Sequence, residues 1–228
     1  MRAIETVGRE TDRVYQTLRR LILDNVLTPG STHLQEELSK RLGVSRTPIR
    51  EAIVRLEEDG LVQSIPRRGI RIKEMSIDDM REIYEMLAAL ESEAAYWAAR
   101  RGISDDQLKA IEAALAAMVT ALNQGDLEAW AEADEGFHHL LAEASGNRRL
   151  MRAIQQLADQ AHRARRITLW RRPPPVQSNL EHRAMLDALK SGDCTLTSNI
   201  HRQHRRQSSA LLVRLLVEGQ APGGAPSG

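Results

Sequence analysis

At Ser76 the hydrophobic pattern of this 228-residue chain changes character. Upstream lie short helical stretches closed by a pair of β-compatible runs; downstream, only long Ala/Leu-rich segments of helical spacing follow. A chain broken in this way has two cores to bury. We therefore expect a mainly α fold of two domains, residues 1–75 and 76–217, with a disordered tail over 218–228 that is rich in Gly, Pro and Ala.

In the first domain, Val14, Leu18, Leu21 and Ile22 keep helical spacing after Thr11, and Leu27-Thr28-Pro29-Gly30 breaks it with turn residues. A second helix fits Leu34 to Leu42 and stops at Gly43. Ser45 or Thr47 can cap a third, with Pro48 in its first turn, that runs to Asp59 and ends at Gly60. Leu61 to Ile65 and Ile70 to Lys73 then flank Pro66-Arg67-Arg68-Gly69, which has the composition of a hairpin tip.

The second domain contains six helical segments, roughly 77–100, 104–123, 127–145, 147–169, 178–191 and 194–217, punctuated by Gly102, Gly125, Gly146, Pro173-Pro174-Pro175 and Gly192. With no strand candidates, this half reads as an all-α bundle. An aromatic content of 3% with many Ala, Leu and Arg argues against a β fold as well.

Bulk properties narrow the function. The apolar runs fall far short of the roughly 18 residues that a membrane span needs, and Met1 to Glu10 lacks a signal-peptide core. A cytoplasmic protein with no membrane partner is expected. Cys194 is the single cysteine, so any metal must be held by His and carboxylate rather than by a thiolate cluster. The net charge of +1 identifies no partner, and residues 1–75 carry 14 Lys+Arg against 11 Asp+Glu. Nucleic-acid binding must be argued from placement.

Placement favours it. In the third helix Ile49, Ala52, Ile53 and Leu56 form the inward stripe, which leaves Arg46, Thr47 and Arg50 on an outer face near the N-terminus. Such side chains reach phosphates and guanine edges. A short helix with two arginines is on its own more often a solvated surface element; its surroundings decide.

The stretch Leu18-x3-Ile22, Pro29-Gly30, Leu34, Glu37-Leu38, Leu42-Gly43-Val44-Ser45-Arg46-Thr47-Pro48-Ile49-Arg50-Glu51-Ala52, Leu56, Gly60-Leu61 and Gly69 closely resembles the GntR family of transcriptional regulators. The resemblance implies a winged helix-turn-helix: a recognition helix in the major groove and a small β-hairpin wing whose tip reaches the minor groove. It assigns DNA contacts to Ser45, Arg46, Thr47 and Arg50, and the wing tip to Arg67, Arg68 and Gly69, where glycine lets the backbone approach closely. Glu36 departs from the pattern, standing where some members carry a DNA-contacting arginine. A homodimer on a pseudo-palindromic double-stranded operator is implied.

Within the bundle, Trp130, Phe137 and Leu141 share a helical face with Asp134 and His138, four residues apart. His182 lies on a stripe with Met185, Leu186 and Leu189, and His204 between Ile200 and Leu211. A carboxylate on an apolar stripe needs a partner. Three imidazoles and one carboxylate make a mixed N/O set suited to Zn, Ni, Mn or Fe. His201, three residues before His204, is a rival ligand.

Asp134-x3-His138 with Phe137 ahead of the histidine, Gly146-Asn147-x2-Leu150, Glu181-His182, Ala188-Leu189, Gly192-Asp193 and His204 resemble the FadR-like branch with an FCD effector domain. Metal-binding members hold a divalent ion with one aspartate and three histidines, at positions matching Asp134, His138, His182 and His204; His139 and His201 would be bystanders. Many members also place an arginine on the first bundle helix, where this chain has Leu87. Helical projection puts Arg165 nearest the inner face as an effector contact.

These features predict a ligand-responsive regulator, in the role of a repressor, whose operator affinity is controlled by a small organic acid bound with the ion. Two rivals are a sensor in which the ion itself is the signal and a metal-dependent hydrolase. The chain has no general-base motif, nucleophile elbow or glycine-rich phosphate loop, and we expect no enzyme.

Overall fold

The computed structural model describes residues 2–66, 69–74 and 76–220. The chain divides into two compact units, Met1–Ser76 and Ile77–Gly228.

In the first unit the order is α1 (Arg2–Leu23), β1 (Thr32–His33), α2 (Gln35–Leu42), α3 (Arg46–Glu58), β2 (Val62–Ile65) and β3 (Gly69–Ile72). Helix α1 begins at Arg2, well ahead of the expected start after Thr11. Arg2, Ala3, Glu5, Arg9 and Glu10 are good helix formers and need no apolar stripe to be helical.

Val14, Leu18 and Ile22 of α1 meet Ile49, Ala52, Ile53 and Leu56 of α3, and the sheet closes the core with Leu61, Val62, Ile70 and Ile72. Gly43 takes the left-handed conformation that ends α2, with φ of 65°. Ser45 is the extended residue before α3. The turn between α2 and α3 thereby fixes which side of α3 faces away from the core.

The sheet has three strands, in the antiparallel order β1-β3-β2, rather than the hairpin alone. Strand β1 is two polar residues without apolar alternation, so periodicity does not reveal it. Backbone bonds hold its approach: Gly30 N–H donates to Ile72 O at 2.9 Å and Ile72 N–H to Ser31 O at 2.9 Å.

The second unit is all helical among its described residues: α4 (Ile77–Arg101), α5 (Asp105–Gln124), α6 (Leu127–Ala144), α7 (Arg148–Thr168) with a 3-10 turn at Leu169–Arg171, α8 (Val176–Ser191) and α9 (Cys194–Gln220). Polar caps start four of the helices, Asp193 accepting from Leu196 N–H ahead of α9. Ser104 accepts from Gln107 N–H, Asp126 from Ala129 N–H, and Asn147 from Arg149 and Leu150 N–H. Helix α9 continues to Gln220, so residues 218–220 belong to it and not to a tail. Residues 221–228 lie outside the described set.

The bundle core is built from Ala95 and Ala98 of α4, Ile111, Leu115 and Met118 of α5, Trp130, Phe137 and Leu141 of α6, and Met185, Leu186 and Leu189 of α8. Trp130 Nε1–H donates to Asn179 Oδ1 at 2.9 Å, which fixes α6 against α8 at the level of the polar cluster described below. No helix among the described residues is long and apolar enough to cross a membrane.

Candidate DNA interface and metal centre

On α3 the apolar stripe is fully buried, while Ser45, Arg46, Thr47 and Arg50 are exposed together at its N-terminal end. The arrangement follows from the 3.6-residue period: positions 46, 47 and 50 share a face opposite 49, 52, 53 and 56. Arg46 Nη2 is 2.9 Å from Glu36 Oε2, and Lys40 Nζ is 3.1 Å from Glu36 Oε1. The hydrogen bond and charge of Lys40, with the charge of Arg46, lower the Glu36 pKa. Glu36 thus sits beside the recognition helix as an internal stand-in for an anionic contact. Such exposed pairs contribute little to stability and exchange easily for another anion.

Gly69 opens β3 with φ of 88°, and a Cβ there would lie 2.1 Å from His33 O and 2.8 Å from Leu34 Cα. The close approach it permits within the fold is that of β1. Arg67 and Arg68, the expected wing tip, lie outside the described residues.

In the bundle, α6, α8 and α9 bring Asp134, His138, His182 and His204 together. All four are buried, and one ligand atom from each lies within 4.8 Å of every other. His182 Nε2 is 3.4 Å from Asp134 Oδ1, His138 Nε2 is 3.8 Å from the same oxygen, and the two Nε2 atoms are 3.0 Å apart. Donors held roughly 2.0–2.2 Å from one tetrahedral ion lie about 3.4 Å from each other, so the spacing fits a single cation.

The outward edges of two rings are committed. His182 Nδ1–H donates to Ser178 O at 2.7 Å, and His204 Nδ1–H to Glu181 Oε2 at 2.8 Å. Each ring therefore turns its Nε2 edge inward, with the histidine–carbonyl and histidine–carboxylate pairing found behind metal ligands. Burial opposes the charge on Glu181, but hydrogen bonds from His204 and Gln177 outweigh it and lower its pKa. Burial, reinforced by neighbouring positive charge, holds His138 well below the usual histidine range. Burial and His204 likewise push His182 down to about 3 against the pull of Asp134. Neutral imidazole is the form that binds a cation. The residues fit a divalent ion.

His201 lies outside the four-residue set, beside it. It is 1% exposed, and its Nε2 is 3.2 Å from His138 Nδ1. The buried positions on α9 run Thr197, Ser198, His201, His204, Leu212 and Leu215, where Leu212 and His201 each stand one position after Leu211 and Ile200 of the expected stripe, and both histidines are turned inward. His139 is exposed, with Nδ1 3.2 Å from Gln155 Oε1.

Glu91 is a functional candidate that sequence reasoning missed. It is 2% exposed on α4, following Ile83 and Leu87 at helical spacing, and both its oxygens are taken by Arg205. The signal that singled out Asp134, a carboxylate on an apolar stripe, was present here too. Leu87 is buried, so α4 supplies an acid rather than an arginine at this level.

Arg165 lines a cavity of about 180 Å³ with His138, Glu91, Glu135, Gln155 and Arg205, and a smaller one of about 30 Å³ with Asp134, Trp130 and Arg172. Its guanidinium is loosely held: Nη2 is 3.7 Å from Glu135 Oε1 and 3.4 Å from Ala158 O. Burial opposes its charge, but Glu135, Tyr84 and Asp134 outweigh this and raise its pKa.

Residues 10–72 match the bacterial regulatory proteins of the gntR family, and residues 82–207 match the FCD domain. The chain is 42% identical over 144 residues, 61% of its length and 82% of the relative's, to an HTH-type transcriptional regulator in the TAR-I ttuE-ttuC' intergenic region of Agrobacterium vitis. It is 29% identical to the HTH-type transcriptional repressor RspR of Escherichia coli, with 90% of each chain covered. Among solved structures, E. coli McbR/YncC superposes with a TM-score of 0.78 at 22% identity, covering 91% of this chain and 98% of that one. A winged, three-helix N-terminal unit that exposes arginines on α3, followed in the chain by a helical bundle, thus has both its halves matched. The chain belongs to the GntR family of HTH-type transcriptional regulators, with an FCD domain, and is a DNA-binding regulator rather than an enzyme.

Proposed function

We propose that this regulator acts in the cytoplasm as a homodimeric repressor on a pseudo-palindromic operator, and that a small organic acid, bound beside a divalent ion in the bundle, sets its DNA affinity. The observation that carries this reading is the convergence of three imidazoles and one carboxylate next to a cavity that also presents the loosely held Arg165.

Asp134, His138, His182 and His204 would hold the ion, which is Zn, Ni, Mn or Fe on the chemistry of the donors. When bound, it supplies positive charge to which a carboxylate can attach. Arg165, which lines the same cavity as His138, would orient the acid by charge-assisted hydrogen bonds. On the DNA, Ser45, Arg46, Thr47 and Arg50 approach the major groove, and Arg67, Arg68 and Gly69 belong to the wing. Phosphate contacts give a large, salt-dependent share of the affinity.

An acid shifts operator binding only by its differential affinity for two states of the dimer, about 1.4 kcal/mol for each tenfold change. The test is a titration of the protein's own upstream DNA, with and without a panel of small mono- and dicarboxylates. Arg50→Ala should weaken binding and flatten its dependence on log salt by about one. Unchanged affinity and slope would remove Arg50 from the interface. An acid that moves wild-type affinity but not that of Arg165→Ala supports the effector site; no response to any acid opposes it. The four-donor set is complete without an organic ligand, which favours a second reading in which the ion alone is the signal. Operator affinity that follows chelation and ignores every acid selects it.

A further inference from the structure

The hydroxyl of Tyr84 on α4 is buried and has no hydrogen-bond partner among the described residues. Burial raises its pKa, and the charges that oppose the rise are those of Arg165, Arg205 and Arg172. Its charged neighbours are thus guanidiniums, which carry donors and no acceptor. Arg205 is spent on both oxygens of Glu91. Arg165 is held only loosely, by Glu135 at 3.7 Å and Ala158 O at 3.4 Å.

Arg172 follows the 3-10 turn in extended backbone, with φ of −82° and ψ of 146°, and three prolines stiffen the chain directly after it. Its guanidinium carbon lies 4.7 Å from the centre of the Trp130 ring. Stacking of this kind holds a guanidinium by its face and leaves its N–H edge open. Arg172 Nε is buried without a hydrogen-bond partner among the described residues. Burial lowers the Arg172 pKa against the pull of Asp134.

Asp134, Trp130, Arg165 and Arg172 line the smaller of the two cavities, which shares Arg165 and Glu135 as walls with the larger one beside His138. The other acids at the smaller cavity are Glu128, 3.8 Å from Arg166, and Glu132, which is exposed. A divalent ion on the four ligands would set its own charge, with those of Arg165 and Arg172, against Asp134 and Glu135. A monocarboxylate leaves that positive charge uncompensated, and a dianion balances it. At about 180 and 30 Å³ the spaces fall below the roughly 300–1,000 Å³ of pockets for drug-sized ligands, so the dianion is short.

We infer that the effector is a short dicarboxylate and that Tyr84 and Arg172 bind its second carboxylate. The first carboxylate lies on the side of Arg165 and the ion, and the second accepts from the Tyr84 hydroxyl and the N–H edge of Arg172. Unpaired buried donors destabilise the ligand-free protein, and the diacid relieves them.

This inference rests on the effector reading above, and its test separates the two. Isothermal titration calorimetry on the full-length, Zn2+-loaded protein compares malonate with propionate, succinate with butyrate, and glutarate with valerate. Each pair differs in the second carboxylate alone. The tightest diacid should bind about 100-fold more tightly than its monoacid, on the basis of two charge-assisted hydrogen bonds at about tenfold each. Arg172→Gln and Tyr84→Phe should each narrow that gap about tenfold.

Tyr84→Phe removes only the hydroxyl. Without ligand it should melt no lower than the wild type, whereas loss of a hydroxyl with a structural partner would lower the melting temperature. A wild type that binds none of these acids overturns the effector reading itself. Diacids that bind no more tightly than their monoacids, a gap that both variants leave intact, or a Tyr84→Phe protein that melts below the wild type overturns only the site for the second carboxylate.

Discussion

Gly69→Ala separates two reasons for a glycine at the base of the wing. In the structure that glycine is required by the fold: φ is 88°, and an added Cβ would stand 2.1 Å from His33 O and 2.8 Å from Leu34 Cα. Left-handed backbone costs an L-residue roughly 1–2 kcal/mol. Neither neighbouring atom is the end of a flexible side chain, so β1 must move by about 1 Å to restore van der Waals contact, which loosens its pairing with Ile70 and Arg71. One or two weakened backbone hydrogen bonds add about 1 kcal/mol each. The sum is about 3 kcal/mol, enough to lower the melting temperature of a unit this size by more than about 10 °C.

The chain supplies its own control. Trp97, Trp130 and Trp170, all its tryptophans, lie in the second unit. Their fluorescence follows the bundle alone, whereas far-ultraviolet circular dichroism follows both units. Gly69→Ala should bring forward the part of the dichroism transition that tryptophan fluorescence does not see, and leave the fluorescence transition in place. A variant that melts like the wild type but no longer binds operator would refute this reasoning. The glycine would then serve the approach to DNA and not the closure of the sheet.

Two further outcomes follow from the same geometry. Glu36→Gln removes the carboxylate that pairs with Arg46 and Lys40 beside the recognition helix, so operator affinity at low salt should rise several-fold, read by fluorescence anisotropy; unchanged or weaker binding would mean that Glu36 positions Arg46 rather than occupies it. In the metal-free protein, burial depresses the pKa of His138 and His201 well below 6.5 and that of His182 to about 3. The unfolded chain then binds more protons below pH 6.5, so bundle stability is complete above that pH and is lost as pH falls through it toward the folded values. The slope is about 1.4 kcal/mol per pH unit for each histidine. Urea unfolding followed by tryptophan fluorescence should give a stability lower by on the order of 4 kcal/mol at pH 5.5 than at pH 7.5; equal values would contradict burial of neutral rings.

Which residues were legible in the sequence depends on how strongly each position was constrained. Asp134 and His138 share one face of α6 with Trp130, Phe137 and Leu141. A polar pair four apart on so apolar a stripe is buried with it, and must find partners inside the core. The α3 stripe was equally clear. Helix α9 was harder to phase, because its buried face includes Thr197, Ser198, His201 and His204 beside few large apolar residues. The phase taken from Ile200 and Leu211 was one position off, so the burial of His201 was not foreseen. Glu91 shows the opposite case, a buried acid legible by the rule that found Asp134. Strand β1 had no sequence signal: Thr32 and His33 pair because the backbone from Gly30 to His33 finds β3, not because their side chains alternate.

The most direct measurement for the central claim is the metal content of the purified, full-length protein, set beside that of His182→Ala after identical exposure to Zn2+ and removal of excess ion. The account predicts one equivalent per chain in the wild type and a large loss in the variant, with both folded by circular dichroism. A wild type that retains no ion, or a variant that retains as much, would contradict it.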